Sequence, residues 1–511
     1  MGLRVLAALL AVTITACSSR GPAPAAAVAT PVPQASASAV AEEPPKVTVT
    51  RASTKLLASL KEPMQATVFV TRVGPETDVF IADLTELFAA YERAGQGKLR
   101  VELVEVDGRE LEQRAERSQM LRQALPGGEG YLGIALEYRG EVGVLPALNA
   151  ENGVEGLEFW ITHKMLEIQC KADGLQRRIG VVTGKGELRL DDTNLVPRTR
   201  TMLATPSLLG IMQQAFPFYS LVEVDLKGGA GEIDPSLLGL IVTQPAQDYT
   251  LDELRRIDRF LLRGKAVVAF ASAANIPAHD AKLEAKLGTH GLVPLLHGYG
   301  IELEENVVFD WTSHLRIGVM TQEGPSWIRH PAIARVTAQE RGLDSSFPPF
   351  FRLDELMFPF PSSLTLRSGV QPDDVELQAL ARSSADSSVE TTRTVELKFR
   401  EQWPSPAAGQ SYVVAAAAEG KLKSAFGAER ATGPARLLVI ASSLFLTNPL
   451  AFAGNPRGNG EGDEMLLAIA GPYAQKHLTN VILTFKNTLD WMAADEDMIA
   501  LGGKLIEAPK R

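Results

Sequence analysis

The amino-acid sequence predicts an α/β protein, with a small α/β domain followed by a larger domain built on a mostly parallel sheet. Two observations lead to this prediction. Apolar runs typical of buried strands alternate with segments of helical spacing from residue 66 onwards, and the alternation resumes near residue 178. Strands that alternate with helices favour a parallel sheet with helices on both faces. The 511 residues are too many for one core, so two or three domains are expected.

Residues 1–17 have the composition of an export signal. One positive charge, Arg4, precedes an apolar run from Val5 to Ile14, and Cys17 follows two small residues. The run is too short to span a bilayer, which takes about 20 apolar residues. Ile14-Thr15-Ala16-Cys17 resembles the bacterial lipobox, in which the cysteine is acylated, for example with palmitate. We therefore expect lipidation at Cys17; the alternative is an ordinary signal peptide with a chance cysteine.

Residues 18–50 are predicted to form a disordered tether. As far as Pro45 they are nearly all Ser, Ala, Pro, Gly, Val and Gln, and such segments lack the large apolar side chains that would offset chain entropy. A flexible tether of this length spans on the order of 30 Å. Signal, Cys17 and tether together place the folded body outside the cytoplasm, on the periplasmic face of the inner or the outer membrane.

Charge and cysteine content argue against two further classes of protein. The formal net charge is −10, from 51 basic and 61 acidic residues, and no basic block stands out. Nucleic acid is therefore not expected as a partner. Only Cys17 and Cys170 are present, so no disulfide framework is expected. No second apolar stretch reaches membrane-spanning length, Val413–Ala418 being short and rich in small residues.

Residues 51–150 are predicted to form the small α/β domain. Its elements alternate between strand and helix and end in a hairpin; they are Ala66–Thr71, Asp78–Ala94, Leu99–Val106, Leu111–Ala124, and Tyr131–Tyr138 with Glu141–Leu145. This order predicts a thioredoxin-like sheet. It does not imply redox chemistry, because no Cys-x-x-Cys is present.

The larger domain is predicted to begin at residue 151, and its first part extends to residue 276. An amphipathic helix, Val154–Ile168, opens it. Strands and helices then alternate; they are Arg178–Thr183, Pro206–Ala215, Tyr219–Asp225, Leu237–Thr243, Leu251–Leu262 and Ala266–Ala271.

Residues 277–430 contain many turn residues and are predicted to form an irregular insert, with a polar loop at Ser384–Glu390. Residues 431–500 then complete the sheet begun near residue 178. They supply a buried strand, Ala435–Ser442, and a helix, Asn480–Met492.

The chain is predicted to end without further structure. Asp495-Glu496-Asp497 is interpreted as a polar terminus after the last helix, and residues 501–511 as a tail.

The glycines around Lys185 resemble a phosphate-binding loop. Three residues separate Gly180 from Gly184, and Gly186 follows Lys185. A phosphate loop has four residues between its glycines and a Ser or Thr after the lysine. We interpret the segment as a glycine turn that leaves a strand.

Residue types suited to catalysis or metal binding form no recognisable pattern. Cys170 is interpreted as a buried, inert thiol, and no Gly-x-Ser-x-Gly elbow is present. The histidines are scattered, without a His-x-x-x-His pair; they are His163, His279, His290, His297, His314, His330 and His477. The acidic groups that could serve acid–base chemistry are not distinguished from surface charge; they are Asp191, Asp192, Glu302, Glu304 and Glu305. We predict no catalytic residue, no cofactor and no metal.

One aromatic cluster is interleaved with prolines. We interpret it as packed core; if exposed, it would be a surface for a partner. Its members are Phe347, Phe350, Phe351, Phe358 and Phe360.

Four groups of segments follow one another in this chain; they are ATVFVT with LRVELVEVD, RRIGVVTGKGE, IDPSLLGLIVTQPAQDYTLDELRRIDRFLLRGKAVVAF, and RLLVIASSLFLTN with NVILTFKNTLDWMAADEDMIAL. In this order they resemble the GldG-like auxiliary proteins of ABC transporters, named from bacterial gliding motility, and the resemblance covers most of residues 65–500. The resemblance implies a sheet similar to that of glutamine amidotransferases, without the catalytic machinery. Here the strand leads into Gln244-Pro245, with no cysteine where a nucleophile would sit. Such proteins usually carry membrane-spanning helices, which the lipid on Cys17 would replace.

The resemblance and the lipobox together predict a non-enzymatic, lipid-anchored accessory subunit of an ABC-type transport or gliding-motility complex. It would bind and scaffold on the extracytoplasmic side, in a hetero-oligomer with permease or ATPase subunits. Two other hypotheses stand beside it. One is an envelope glycan hydrolase or transferase that uses carboxylates of the insert. The other is a polysaccharide- or solute-binding lipoprotein with an aromatic-lined pocket.

Overall fold

A computed structural model describes residues 47–198, 205–321, 324–404, 408–455 and 462–507. Within these ranges the protein is of mixed α/β class, as predicted. Its described residues divide into two compact units, one ending at Met165 and the other comprising Leu166–Glu507. Cys17 and most of the predicted tether lie outside the described residues, so lipidation stays a prediction. No helix in the described ranges is long and apolar enough to cross a membrane.

The first unit is built on one mixed sheet. Its elements are α1 (Arg51–Ser59), β1 (Met64–Val70), α2 (Pro75–Gly95), β2 (Leu99–Glu105), α3 (Arg109–Arg117), β3 (Arg122–Leu125), β4 (Gly128–Tyr138), β5 (Glu141–Leu145) and the start of α4 (Leu157–Asp173). The strand order is β2-β1-β4-β3, and β5 also pairs with β4. β1 and β2 are parallel, and β4 is antiparallel to β1. The expected hairpin of β4 and β5 turns at Arg139 and Gly140, whose φ angles are 51° and 86°. Positive φ at both positions is the geometry that matches the twist of a tight hairpin.

The prediction of a helix over Leu111–Ala124 is wrong for the second half of that segment. The helix α3 ends at Arg117, and β3 follows and pairs antiparallel with β4. The reason is that this helix has almost no apolar face, since Ala115 is its single buried residue. Pairing with β4 satisfies the backbone of the following residues, and a longer exposed helix would bury little more.

The second unit begins within α4 and contains the alternating segment that the sequence indicated. Its elements up to the insert are β6 (Arg177–Thr183), α5 (Leu208–Ala215), β7 (Tyr219–Asp225), β8 (Gly239–Thr243), α6 (Leu251–Leu261), β9 (Ala266–Phe270) and β10 (Ala274–Asn275). The insert then supplies β11 (Glu284–Leu287), α7 (Val293–Gly298), β12 (Ile301–Leu303), β13 (Val307–Asp310), β14 (His314–Thr321), β15 (Gly324–Thr337), β16 (Glu355–Pro359), β17 (Leu364–Leu366), β18 (Glu376–Arg382), β19 (Ser387–Glu390), β20 (Thr394–Glu396) and β21 (Val413–Gly420). The closing elements are β22 (Ala435–Ile440), α8 (Pro449–Gly454), α9 (Glu464–Met492) and α10 (Glu496–Glu507).

A single large sheet organises the second unit. In the described residues its order is β12-β17-β21-β22-β9-β8-β6-β7, with β18 also paired to β21. The strands β7-β6-β8-β9-β22 are all parallel to their neighbours. Numbered along the chain, these five strands follow the order 2-1-3-4-5 of a doubly wound sheet. The late strand β22 pairs with β9, so the prediction that the end of the chain completes the sheet is confirmed.

The insert is more regular than the sequence suggested. Its strands β12, β17, β18 and β21 extend the main sheet, and β14, β15 and β16 form a separate antiparallel sheet. The predicted loop Ser384–Glu390 contains β19, which pairs with β13. The strand was missed because serine is polar and is typical of loops, whereas Ser387 is fully buried here. Four members of the aromatic cluster, Phe347, Phe350, Phe358 and Phe360, are buried as expected, and Phe351 is half-buried.

The carboxyl-terminal part is more helical than predicted. Helix α9 begins at Glu464, well before Asn480, and its backbone passes through Pro472. Asp463 caps it by accepting a hydrogen bond from the Leu466 amide at 2.9 Å. The expected polar terminus and tail are instead helix α10, which buries Met498, Ile499 and Leu501. Burial of this apolar face stabilises the helix. The prediction failed because it considered only the acidic residues at the start of the segment.

A buried polar network joins these last helices to the sheet. Lys486 and Asp490 on α9 are both fully buried and form an ion pair at 2.6 Å. The Tyr219 hydroxyl of β7 donates to Asp490 at 2.6 Å, and Lys486 donates to the Met498 carbonyl of α10 at 3.1 Å. Burial, reinforced by the charge of Asp490, holds the pKa of Tyr219 well above its usual range, so its hydroxyl stays a donor. Each charge therefore has partners, which a buried ion pair requires.

Replacing Asp490 by Asn should lower the free energy of unfolding by about 3–5 kcal/mol, because Lys486 then keeps a buried, unpaired charge. Chemical denaturation measures this loss. Asp191→Asn is the matched control: it removes the same charge from an exposed pair with Arg189 and should cost under about 1 kcal/mol. Equal losses for the two variants would contradict the assigned role of the network.

Stability should also fall in mild acid because of His330. This side chain of β15 is fully buried, its Nε2 donates to the Leu397 carbonyl at 2.7 Å, and burial lowers its pKa to about 4. An unfolded histidine takes up its proton near pH 6.5. Between that pH and about 4 only the unfolded chain is protonated there, so acidification lowers the free energy of unfolding, by about 3 kcal/mol in all.

Comparing denaturation of the parent with that of His330→Gln over pH 7 to 4 measures this contribution. Gln can still donate to the Leu397 carbonyl but does not titrate, so its pH dependence should be shallower. Identical slopes for the two proteins would show that His330 does not contribute.

Candidate functional site

The carboxyl edge of the parallel strands is where this architecture would place a ligand site. In open α/β sheets, ligands bind outside these strand ends, where the order of strands along the chain reverses. Here the reversal lies between β6 and β8, because β7 lies on the far side of β6. The loops that leave β6 and β8 therefore border the crevice that an enzyme of this architecture would use.

These two loops close the crevice by bonding to each other. The Leu188 amide donates to the Gln244 carbonyl at 2.9 Å, and the Ala246 amide donates to the Lys185 carbonyl at 2.9 Å. Gly184 and Gly186, with φ of 109° and 68°, allow the first loop to turn back over the strand ends. The predicted glycine turn is present. The Lys185 amide donates to Glu187, so it does not face a phosphate.

Charged side chains around this turn are paired within the chain. The Glu187 carboxylate is buried and accepts from the Lys185 amide and from the Tyr249 hydroxyl, both at 2.7 Å. Burial and the charge of Glu187 raise the pKa of Tyr249, which keeps its proton for this bond. The Lys185 ammonium lies 3.1 Å from the buried Glu253, which also forms the capping box of α6 with Thr250. Burial would raise the pKa of Glu253, but the bonds from Thr250 and Lys185 lower it.

Gln244, at the position where the resemblance implied a missing nucleophile, connects two loops. Its amide nitrogen donates to the Asn275 side chain at 2.5 Å, and its amide oxygen accepts from the Ser272 backbone at 2.8 Å. Asn275 in turn donates to the Gly288 carbonyl at 2.7 Å. A neutral amide with both ends bonded supplies neither a nucleophile nor a base, so the arrangement positions the loops after β8 and β9.

His279 and His290 lie near these loops. The side chain of His279 is 6% exposed and lies 3.3 Å from Asp192 through Nε2 and 2.8 Å from the Asn455 carbonyl through Nδ1. Both ring nitrogens face oxygen acceptors of the chain itself, so neither is free to activate a nucleophile. His290 pairs with Asp248 of the loop after β8. Away from this edge, His477 pairs with Glu355.

The other residues singled out from the sequence do not come together. In the part of the chain that the structure describes, no three metal-ligating side chains form a group. Cys170 is a buried free thiol on α4, and burial raises its pKa, which disfavours the reactive thiolate. Asp191 pairs with Arg189 and Glu302 with Arg367, while Glu305 is exposed.

A polar cleft of about 500 Å³ opens where β21 begins. Because β21 is antiparallel to β22, this beginning lies at the carboxyl edge of the parallel strands. Glu304 in the cleft accepts from the Thr365 hydroxyl at 2.6 Å, and Arg382 and Tyr412 contribute further polar groups. The remaining lining residues are Asn306, Ser363, Leu364, Leu366, Gln410, Ser411 and Val413. Among the carboxylates weighed from the sequence, Glu304 alone lines the cleft.

A smaller depression of about 300 Å³ lies at the opposite edge of the sheet, where β6 and β7 begin. It includes Cys170, Arg177 and Phe218. Sequence reasoning found neither cavity, because their walls come from segments far apart in the chain and no local motif marks them.

A family described as an ABC-type uncharacterized transport system, the ABC transport auxiliary family, matches residues 176–469. This match covers more than half of the chain. The protein belongs to the ABC transport auxiliary family. The predicted relationship to the GldG-like auxiliary proteins of ABC transporters is thereby confirmed, and the match supports an accessory role in an ABC transport system.

Among solved structures, the "mmIFT52 N-terminal domain" matches with 12% sequence identity and a TM-score of 0.33, over 62% of this chain and 96% of that chain. No match was found among curated proteins.

Replacing Gln244 by Ala should lower the free energy of unfolding by about 1–3 kcal/mol, because the Ser272 amide and the Asn275 side chain lose their partner. Gln410→Ala, an exposed glutamine at the cleft, is the matched control and should change stability little. Chemical denaturation of the two variants measures the difference. If both behave alike, Gln244 does not hold the loops.

Proposed function

We propose that this family member is a non-enzymatic accessory subunit of an ABC transport complex, held on the membrane by a lipid on Cys17. The observation that carries the non-enzymatic part is the closed crevice between β6 and β8. The loops there bond to each other, and Gln244 bonds to the neighbouring loop. Bond chemistry at this edge would require breaking those contacts, whereas a binding and scaffolding role does not.

The proposed location rests on the amino-terminal sequence. The apolar run and the lipobox-like Ile14-Thr15-Ala16-Cys17 support export and acylation. The body would then act on the extracytoplasmic side, at the periplasmic face of the inner or outer membrane. Its proposed partners are permease or ATPase subunits in a hetero-oligomer, including those of gliding-related complexes.

Two finer descriptions of the fold belong to the same proposal. We propose that the first unit is thioredoxin-like and that the second is similar to a glutamine amidotransferase. The parallel order β7-β6-β8-β9-β22 and the turn from β8 into Gln244 support the second description.

The glycan-hydrolase hypothesis receives less support from the cleft. Such an enzyme needs two carboxyl groups that face each other across the bond to be cleaved. Among the residues described as lining this cleft, Glu304 is the one carboxylate and Tyr412 the one aromatic. Tyr412 is also the one ring in this lining on which a sugar could stack. The lining therefore favours the accessory role over polysaccharide binding as well.

The proposal predicts where the protein is found and what accompanies it. The parent should sediment with membranes, incorporate labelled palmitate and co-purify with an ABC permease or ATPase after detergent extraction. Cys17→Ala should lose the label and release a folded, soluble body, because the acyl group is its attachment. Labelling, fractionation and mass spectrometry of the purified complex measure these outcomes.

Cys170→Ala is the matched control, since it removes the other cysteine and should keep label and membrane association. A Cys17→Ala protein that stays in the membrane fraction would show that a bound partner holds it. Recovery of neither a permease nor an ATPase would count against the accessory role.

A further inference from the structure

The hairpin formed by β14 and β15 exposes a basic and aromatic face. Its residues are Arg316 and Gly318 on β14 and Trp327 and Arg329 on β15, which we call the hairpin face. All four are exposed, and Trp327 is 63% exposed, although tryptophan is highly buried on average in folded proteins.

The pairing within the hairpin face is locally unfavourable. Arg316 lies directly opposite Arg329, and like charges in this position destabilise a sheet. Neither guanidinium has an ion pair with a carboxylate in the part of the chain described. Gly318 lies directly opposite Trp327, and glycine inside a strand weakens it. Features that break local rules without an evident compensating contact are typical of functional surfaces.

Gly318 leaves room for the Trp327 ring to lie against the strand. The Trp327 ring lies over the glycine, at 3.6–3.9 Å from where a Cβ would stand. One side of the ring thus covers bare backbone. The indole is held against the strand and stays available to a partner, with both arginines on the same face of the hairpin.

The positive charge of this face affects the neighbouring His314. Burial lowers the pKa of His314, and the charges of Arg316 and Arg329 lower it further. Close by, Arg400 lies over the Trp403 ring at 4.4 Å, and the Trp403 indole donates to the Arg329 carbonyl at 3.3 Å. Glu396 lies 3.8 Å from Arg400.

We propose that the hairpin face docks on an anionic membrane surface. The indole ring is amphipathic and is the aromatic group enriched at the level of lipid headgroups. Cationic side chains near an anionic leaflet each contribute about fivefold to binding, or about 1 kcal/mol. Arg316 and Arg329 give the hairpin face a charge complementary to an acidic surface, although the chain as a whole carries −10.

Membrane docking fits the proposed anchor, on which this inference rests. A lipid on Cys17 and a tether that spans on the order of 30 Å would keep the body close to the bilayer. Contact through the hairpin face would then orient the body, and would fix which surfaces remain open to transporter subunits.

The purified lipid-bearing full chain tests this inference. It is mixed with vesicles of phosphatidylcholine, with or without phosphatidylglycerol, whose acyl chains are brominated to quench nearby tryptophans. With anionic vesicles the parent should show quenching that Trp327→Phe lacks, because only a docked hairpin brings this indole to the bilayer. Arg316→Gln with Arg329→Gln should lower the equilibrium constant for docking about thirtyfold.

Arg259→Gln with Arg263→Gln is the matched control, since it removes two exposed arginines elsewhere and should leave quenching unchanged. Sedimentation of the same samples reports the lipid anchor separately, so a failed anchor is distinguishable from a failed hairpin contact. Absence of quenching in the parent, or equal quenching in the hairpin and control variants, would overturn the proposal. Equal quenching by neutral vesicles would overturn it too.

Discussion

The bonds between the loops that leave β6 and β8 are the constraint on which our functional interpretation depends. They pair Leu188 with Gln244 and Ala246 with Lys185, at the point of the sheet where a ligand would otherwise enter. The charged groups around that turn are paired within the chain: Glu187 accepts from Tyr249, and Lys185 pairs with Glu253. A doubly wound sheet whose switch point is closed by its own backbone can serve as a platform for binding. In the proposed accessory role, partners would then contact other surfaces, and the proposed membrane contact of the hairpin face is one of them.

The platform itself depends on segments far apart in the chain. β22 pairs with β9 across the whole insert, and α9 packs its fully buried Lys486 and Asp490 toward Tyr219 of β7. Tyr219, Lys486 and Asp490 satisfy one another, which offsets the cost of burying charge. The first strands of the unit and its last helices therefore form one cooperative body, while β14 to β16 form a separate antiparallel sheet of the insert.

The sequence was informative where burial on both sides of a strand leaves a continuous apolar run. β8 and β9 are buried at every position, and both were predicted almost to the residue. β21 was missed because its core positions are alanines, Ala415–Ala418, whose composition does not distinguish strand from helix. Helix α9 was predicted to begin only at Asn480, whereas it begins at Glu464 and passes through Pro472, where tertiary packing outweighs local propensity. The absence of a nucleophile at Gln244 was visible, but its partners Ser272 and Asn275 and the walls of the cleft are set by tertiary contacts.

Hydrogen exchange of the loop amides tests the closed crevice most directly. If the loops are bonded as described, the amides of Leu188 and Ala246 should exchange as slowly as those of the neighbouring strands β6 and β8, since exchange then requires opening of the sheet edge. Exchange at the rate of exposed loops would contradict this account, because the crevice would then open readily and could admit a ligand.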